Sequence, residues 1–470
     1  MNWTQLLNIS RYRDVEPRHR LLQSESRLPF EVDYDRIIFS SHFRSLQDKT
    51  QVIPLSPTGF VHTRLTHSLE VSVVGRSLGR EVGRVLLDRH KDLVDDGYRT
   101  NDFGNIVAAA ALAHDIGNPA FGHSGERAMG DFFKTGPGQR FKDQLTPAEY
   151  EDLCRFEGNA HGFHLLNKSA YGQVDGLRLT AAVQGAFMKY PKPSLPHKPT
   201  SHIAHKKYGV FQADLETWDN LANTMGLSYT KDGEIWYHRH PLTYLVEAAD
   251  DICYTIIDFE DGINMGLIPE EVALEHLNPI LRSYDSHTRK RIYEKHSTLE
   301  RRQDRIGYLR SVAINVLIND AVKIFLDNEE RLLTATDAGN TALRSASQHV
   351  KVSTAGSHPF AKAILDTSDH HNTLEDILKI SRERMYQSHE VTQKEIRGYQ
   401  ILNTLLDKFV TAIERQQLDR MTAYDKLILR SAGNELDTSG MDIYTRLLET
   451  ASYVARLSDH RAVQLYELIN

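Results

Sequence analysis

The sequence predicts an all-α protein. Long stretches carry apolar residues at intervals of three to five, the spacing of one buried helix face, as in residues 63–90 and 242–258. The alternating βαβ pattern of a parallel sheet is absent, and so are glycine-rich phosphate loops. With 470 residues, 40% of them hydrophobic, the chain is long enough for a single elaborated helical domain over 1–470.

Composition excludes several classes of protein. A formal net charge of −7 argues against general electrostatic binding to nucleic acid, although a local basic groove stays compatible with it. The cysteines, Cys154 and Cys253, are far apart and form neither a disulfide framework nor a zinc–thiolate motif. We see no signal peptide and no apolar run that spans a bilayer, so we expect a cytoplasmic protein without a membrane contact.

The first ninety residues predict two helices with a short extended piece between them. Residues 33–46 have helical periodicity, residues 50–55 are β-branched enough for a small strand, and a long amphipathic helix covers about 63–90. His67 lies near the start of that long helix. Taken alone, it is better explained as a structural histidine in the core than as a metal ligand.

An alanine-rich helix ending at His114 and Asp115 dominates the next region. An imidazole beside a carboxylate at a helix end can bind a divalent metal ion. The alternative is an ordinary helix C-terminus with a solvated aspartate. A second helix begins near Ser124, and His123 and Glu126 are three residues apart, so they would share one helical face.

The remainder predicts more helices and one basic loop. We expect a loop over 132–146 and a helix over 148–185, followed by an irregular segment, 189–209, with five lysines and three histidines. The helix over 242–258 carries Asp250, Tyr254 and Asp258 on one face, which either lines a site or faces solvent. Further helices fill 270–470.

Six stretches match, in chain order, the motifs of the deoxyguanosinetriphosphate triphosphohydrolases of the HD superfamily. They are residues 43–52 (FRSLQDKTQV), 63–71 (TRLTHSLEV), 114–126 (HDIGNPAFGHSGE), 156–160 (FEGNA), 206–209 (KKYG) and 247–254 (EAADDICY). The matches are jointly specific, and the sequence therefore resembles this family.

This resemblance implies a fold and an activity. We expect an HD core over about 30–265, additional C-terminal helices over about 266–470 and at most a small β-hairpin. The family hydrolyses dNTPs, with dGTP preferred, to a deoxynucleoside and inorganic triphosphate by attack of water at the α-phosphate. The alternatives are an HD phosphodiesterase acting on a cyclic or signalling nucleotide, and a nucleotide- or single-strand-DNA-sensing oligomer with a vestigial metal site.

The resemblance also assigns residues. It implies one divalent metal ion per subunit, Mn²⁺ or Mg²⁺ before Fe²⁺, Co²⁺ or Ni²⁺, held by four ligands: His67, His114, Asp115 and Asp250. It implies a catalytic pair, His123 with Glu126 orienting its ring. It places seven residues at the substrate: Gln51, Arg64, Asn159, Lys207, Tyr208, Tyr254 and Asp258.

The sequence departs from the motifs of this family at four positions. Ser45 replaces an arginine, Ala120 replaces a proline, and His161 and His164 replace glutamine and arginine. By resemblance the protein is expected to form a homo-oligomer, commonly a hexamer, and to take a dNTP as substrate. Single-stranded DNA or a dNTP is the expected effector.

Overall fold

A computed structural model describes residues 1–16, 18–23, 27–51, 62–168, 176–334 and 360–469. Within these residues the chain is helical, with one two-stranded antiparallel hairpin, β1 (Ser228–Lys231) paired with β2 (Glu234–Tyr237). The predicted all-α class with at most a small hairpin is confirmed. None of the helices in the described ranges combines the length and apolarity needed to cross a bilayer.

The helices up to the hairpin are α1 (Trp3–Leu6), α2 (Pro29–Phe39), α3 (Ser41–Arg44), α4 (Arg64–Arg89), α5 (Lys91–Asp95), α6 (Thr100–Ala113), α7 (Gly122–Lys134), α8 (Pro147–Cys154), α9 (Gly158–Asn167), α10 (Ala181–Phe187) and α11 (Leu215–Thr224). After the hairpin come α12 (Thr243–Asn264), α13 (Glu270–Leu281), α14 (Ser286–Ser297), α15 (Arg302–Asp327), α16 (Glu329–Leu333), α17 (His371–Ser381), α18 (His389–Gln417), α19 (Ala423–Ala432), α20 (Ile443–Arg456) and α21 (Asp459–Ile469). A π-helical turn, Arg382–Tyr386, follows α17.

Several predicted boundaries are wrong, each for a local reason. The helix expected over 33–46 is interrupted at Ser40, whose backbone is extended and whose hydroxyl caps α3 by accepting from the amide of Phe43. The continuous helix expected over 148–185 is instead α8, α9 and α10. The loop expected over 132–146 contains a 3₁₀-helix, Pro137–Gln144. Most of the strand expected over 50–55 lies outside the described residues, although Thr50 forms an isolated bridge with Thr63.

Three glycines allow α4 and α6 to approach each other closely. Gly75, Gly79 and Gly83 lie four residues apart on one ridge of α4. A Cβ atom added to Gly79 would lie 2.6 Å from the carbonyl oxygen of Phe103, and one added to Gly83 would lie 2.7 Å from the Phe103 side chain. Because His67 lies on the same ridge, two turns before Gly75, this contact also sets where His67 meets the end of α6.

Two large hydrophobic cores both include residues of the loop that joins α6 to α7 (residues 114–121, the HD loop). The first is built from α4, α6, α12 and α15, and the second from α7, α18, α20 and α21. The second core therefore joins a helix of the predicted HD region to the C-terminal helices. The division of the chain at about residue 265 stays a prediction.

Replacement of Gly79 by alanine should destabilise the protein. The new methyl group would meet backbone atoms of α6 that cannot move aside, and overpacking of this kind costs about 1–3 kcal/mol, more than the gain in helix propensity. Urea unfolding measures the change. Gly307→Ala on α15 is the control, because its Cβ would find only ordinary contact, 3.5 Å from Glu260 Oε1. Equal stabilities of the two variants would contradict the proposed role of the ridge.

Candidate active site

Two histidines and two aspartates converge where α4, α6 and α12 meet. His67 Nε2 lies 3.3 Å from Asp250 Oδ1, and His114 Nε2 lies 3.5 Å from the same oxygen. His114 Nε2 is also 3.5 Å from Asp115 Oδ1. Ligand atoms of His67, His114 and Asp115 all lie within 4.8 Å of one another. The structure thus brings the four residues predicted as metal ligands to one point.

The chemistry of this cluster fits a divalent cation. The Nδ1–H of His114 donates to the carbonyl of Ala111 at 2.6 Å, which directs Nε2 towards the carboxylates, where a metal ion would replace the proton on this nitrogen. Two imidazole nitrogens and two carboxylates form a mixed nitrogen and oxygen donor set. Such a set suits a six-coordinate ion with positions left for water and substrate better than it suits a closed zinc site.

Electrostatics also favour a cation at this point. Burial by itself raises the pKa of Asp250, but His114 and His67 outweigh burial and hold that pKa well below its ordinary value. Burial lowers the pKa of His114, whereas Asp115 and Asp250 raise it to about 9. The carboxylates are therefore ionised, and their negative potential is strong enough to draw a positive charge onto the imidazole.

Each aspartate is also held from its far side. Arg64 Nη1 donates to Asp115 Oδ2 at 2.8 Å, and the side-chain amide of Asn118 donates to Asp115 Oδ1. Lys189 Nζ lies 3.7 Å from Asp250 Oδ2 and 3.5 Å from Glu247 Oε1. These contacts fix the orientation of the carboxylates before any ligand arrives.

A cavity of about 800 Å³ opens beside the four residues. Its lining includes both members of the predicted catalytic pair and five of the predicted substrate residues: His123, Glu126, Gln51, Arg64, Asn159, Lys207 and Tyr254. Further cations line the same cavity, namely Lys189, Lys206, Arg127 and Arg382. A cavity of this volume accommodates a molecule the size of a nucleotide.

His123 and Glu126 lie on the first turns of α7. Burial, together with Lys207 and Arg64, lowers the pKa of His123, so its ring is neutral at pH 7. Glu126 Oε1 accepts from the amide of Gly158 at 2.8 Å. Among the hydrogen bonds of the described residues, none joins Glu126 to His123, so the predicted orientation of the ring by Glu126 is not a direct contact in this structure.

Lys207, one of the lysines of the basic loop, is held by Glu157 at the cavity wall. Lys207 Nζ donates to Glu157 Oε1 at 3.0 Å, and the same oxygen accepts from Asn159 Nδ2 at 2.7 Å. Both Lys207 and Asn159 are therefore prepositioned by Glu157. Gln51 also lines the cavity, and its buried Oε1 lacks a hydrogen-bond donor.

Two tyrosines from distant parts of the chain also line the cavity. Tyr254 on α12 and Tyr386 on the π-helical turn have parallel rings with centroids 5.8 Å apart. The hydroxyl of Tyr386 donates to Asp258 Oδ2 at 2.7 Å, whereas Asp258 Oδ1 is buried without a donor. Asp258 thus lies behind Tyr386 and outside the residues found to line the cavity.

Tyr208 is placed differently from the prediction. Its hydroxyl donates to the carbonyls of Asp152 and Arg155, and its ring packs in the second hydrophobic core. It is absent from the described lining of the cavity. Its contact with substrate stays a prediction, and in this structure its hydroxyl is already bonded to main-chain acceptors.

Sequence reasoning missed several residues at the site. Lys189 begins the basic segment that the sequence identifies, but its ion pairs with Glu247 and Asp250 depend on tertiary packing. Tyr386 lies 128 residues after the aspartate that it contacts. A polar face shared by Asp250, Tyr254 and Asp258 was the available signal that α12 borders a site.

Comparison with known proteins gives a consistent result. The family model of the HD domain matches residues 64–153. A deoxyguanosinetriphosphate triphosphohydrolase-like protein of Synechocystis sp. is 35% identical over 99% of this chain and 98% of its own, and one of Pseudomonas aeruginosa shows the same identity and coverage. A deoxyguanosinetriphosphate triphosphohydrolase of Klebsiella pneumoniae is 32% identical over 80% of this chain and 76% of its own.

The chain belongs to the deoxyguanosinetriphosphate triphosphohydrolase family. The HD match spans three of the four clustered residues, and Asp250 joins them from α12, beyond the matched segment. This membership confirms the resemblance drawn from the motifs. For this triphosphohydrolase family member, the His and Asp cluster is compatible with a divalent metal ion.

Removal of Asp250 should remove the metal ion. Asp250→Ala deletes the oxygen that both imidazoles face, and we expect the metal retained after gel filtration to fall at least about tenfold. Elemental analysis measures it. Asp251→Ala is the matched control, since Asp251 is the next residue and lines the cavity but lies outside the cluster. Unchanged metal content in Asp250→Ala would show that the fourth ligand is elsewhere.

Glu126 should make stability depend on pH. Burial and the neighbouring Glu157 raise the pKa of Glu126 from 4.5 to about 7. The folded state therefore binds the proton more tightly than the unfolded state, and the resulting stability is complete below pH 4.5 and is lost as the pH rises through 7.

Relative to the wild type, Glu126→Gln should therefore become more stable by about 2 kcal/mol between pH 5 and pH 8. Urea unfolding across this range measures the difference. Glu294→Gln, at an exposed position, should show no such trend. A flat difference for Glu126→Gln would mean that Glu126 is ionised throughout.

Proposed function

We propose that this protein hydrolyses dNTPs, with dGTP preferred, to a deoxynucleoside and inorganic triphosphate, and that it uses one divalent metal ion per subunit, Mn²⁺ or Mg²⁺. The observation that carries the proposal is the convergence of His67, His114, Asp115 and Asp250 in one cavity with His123 and several cations. The names of the relatives agree with it.

The cations of the cavity suit a polyphosphate. Arg64 lines it from the start of α4, and Lys207 lines it from the basic loop. Lys189 and Lys206 of the same loop add further positive charge. Guanidinium and ammonium groups bind phosphate oxygens by charge-assisted hydrogen bonds. Arg64 Nε is buried without an acceptor, so a donor is available to an incoming phosphate oxygen.

The polar lining of the cavity also suits a deoxyribose. Gln51 lines the cavity, and its Oε1 is a buried acceptor without a donor, which a sugar hydroxyl would supply. Tyr254 lines the same cavity and would crowd a 2′-hydroxyl, as the family pattern implies. A surplus hydroxyl that clashes or is buried unpaired is a physical route to selecting deoxynucleotides. The contact of Asp258 with the sugar stays a prediction.

The reaction requires one bond exchange and one proton transfer at the reacting oxygens. The oxygen of water bonds to the α-phosphorus, the bond from the α-phosphorus to the 5′-oxygen breaks with its electron pair on that oxygen, and the 5′-oxygen gains a proton. A divalent metal ion held by His67, His114, Asp115 and Asp250 would supply Lewis-acid chemistry that offsets charge on the phosphate. We assign to His123 the proton transfer, at the water or at the 5′-oxygen, because its ring lines the cavity and is neutral at pH 7.

Product analysis tests the proposed function. We expect inorganic triphosphate and deoxynucleoside in equal amounts when the protein is incubated with Mn²⁺ or Mg²⁺ and each dNTP, singly and mixed, with dGTP consumed fastest. A nucleoside monophosphate would instead indicate a phosphodiesterase. An absence of turnover with tight nucleotide binding would indicate a sensor. The homo-oligomer, hexameric by resemblance, and an effector that is single-stranded DNA or a dNTP stay predictions.

Loss of the His123 imidazole should reduce turnover without loss of metal. His123 is not among the clustered ligands, so His123→Ala should keep the metal content of the wild type while kcat falls about a hundredfold or more. Elemental analysis and triphosphate release measure the two quantities. The control is His287→Ala, an exposed position on α14. Full activity of His123→Ala would remove this residue from the mechanism.

A further inference from the structure

The C-terminal helices touch the active-site segments at one buried junction centred on Asp459, the first residue of α21. Asp459 is 2% exposed. Its Oδ2 accepts from both the amide and the hydroxyl of Thr50, at 3.2 and 2.6 Å. Its Oδ1 accepts from the amide of Phe121 at 3.0 Å. One carboxylate therefore bonds two chain segments that are about seventy residues apart.

Lys49 reinforces the same junction. Lys49 is 1% exposed, and its ammonium group donates to the carbonyl of Asn118 at 2.6 Å and to that of Ala455 at 3.0 Å. The carbonyl of Lys49 in turn accepts from the amide of Arg64 at 3.0 Å. A buried carboxylate and a buried ammonium group are costly unless fully hydrogen-bonded, so this arrangement tolerates little movement.

Each bonded segment leads directly to a residue of the proposed reaction. Thr50 precedes Gln51, whose orphaned acceptor lines the cavity. Phe121 is the N-cap of α7 with a φ of 58°, a left-handed conformation that a bulky residue adopts only when its surroundings enforce it. His123 follows two residues later. The direction in which α7 leaves the HD loop thus depends on the bond from the Phe121 amide to Asp459.

We propose that Asp459 is a positioning residue of the active site, which fixes Gln51 and His123 relative to one another by holding Thr50 and Phe121 at once. The inference rests on the proposed function, in which Gln51 accepts a sugar hydroxyl and His123 moves a proton. It makes the start of the last helix part of the catalytic apparatus, although Asp459 touches no reacting atom.

Hydrogen exchange tests the positioning without substrate. Asp459→Ala removes the acceptor for both amides, so deuterium uptake over residues 46–51 and 117–123 should be at least about tenfold faster, while uptake over 64–89 is unchanged. Asp437→Ala, an exposed aspartate between α19 and α20, is the control. Unchanged uptake over both segments, or faster uptake everywhere, would overturn the inference.

Kinetics test the consequence for substrate. Thr50→Val removes only the hydroxyl donor to Asp459. This variant therefore tests the inference even if Asp459→Ala does not fold. The wild type should prefer dGTP to 2′,3′-dideoxyguanosine triphosphate in kcat/KM, because Gln51 needs the 3′-hydroxyl as its donor. In Thr50→Val this preference should shrink about tenfold. The effect should be absent when Thr50→Val is added to Asp459→Ala, because the hydrogen bond that Thr50→Val removes is already missing there.

The outcomes separate the inference from the proposed function. An active wild type whose preference is unaltered in both variants would overturn the inference and leave the proposed function intact. A wild type that releases triphosphate from no dNTP would overturn the proposed function, and the exchange measurement would then decide the positioning alone. Metal content should match the wild type in both variants, since the clustered ligands lie on α4, on α12 and immediately after the C-terminal end of α6.

Discussion

The site depends on the close approach of α4 to α6. Gly79 and Gly83, on one ridge with Gly75, let the α4 backbone lie against Phe103 and Gly104 at a distance that a Cβ atom at either position would prevent. Since His67 lies on that ridge and His114 ends α6, the two rings reach a centroid separation of 5.3 Å. A wider helix pair would leave the imidazoles too far apart to face one carboxylate.

A second principle is that each aspartate of the cluster has a fixed cationic counterpart. Asp115 is held by Arg64, and Asp250 by Lys189, which also contacts Glu247, itself bonded to the fully buried Arg239 at 2.8 Å. Charges of this kind are destabilising unless paired, and once paired they restrict the geometry strongly. These paired charges hold the cluster in place in the wall of the cavity.

Much of this was predictable from the sequence, because local patterns report local structure. The helical class and the adjacent His114 and Asp115 follow from periodicity and motif spacing. The break at Ser40 and the division of 148–185 into separate helices were not predicted, because capping and tertiary contacts override apolar periodicity there.

The contacts of Tyr386 with Asp258 and of Asp459 with Thr50 join residues more than a hundred positions apart. No sequence spacing encodes such pairs. Tyr208 was assigned from its place in a motif beside Lys207, yet the two side chains point to different environments, one to the core and one to the cavity. Motif membership therefore identifies a segment more reliably than it identifies each side chain's partner.

The origin of the cluster on three separate helices has a thermodynamic consequence. Its donor atoms come together only in the folded chain, so a cation that they bind discriminates against the unfolded state. By mass action, occupancy at a hundredfold excess over the dissociation constant adds about 2.7 kcal/mol to the free energy of unfolding. Removal of the ion by a chelator would then weaken the packing of α4, α6 and α12. The ion would therefore stabilise the fold as well as take part in the reaction.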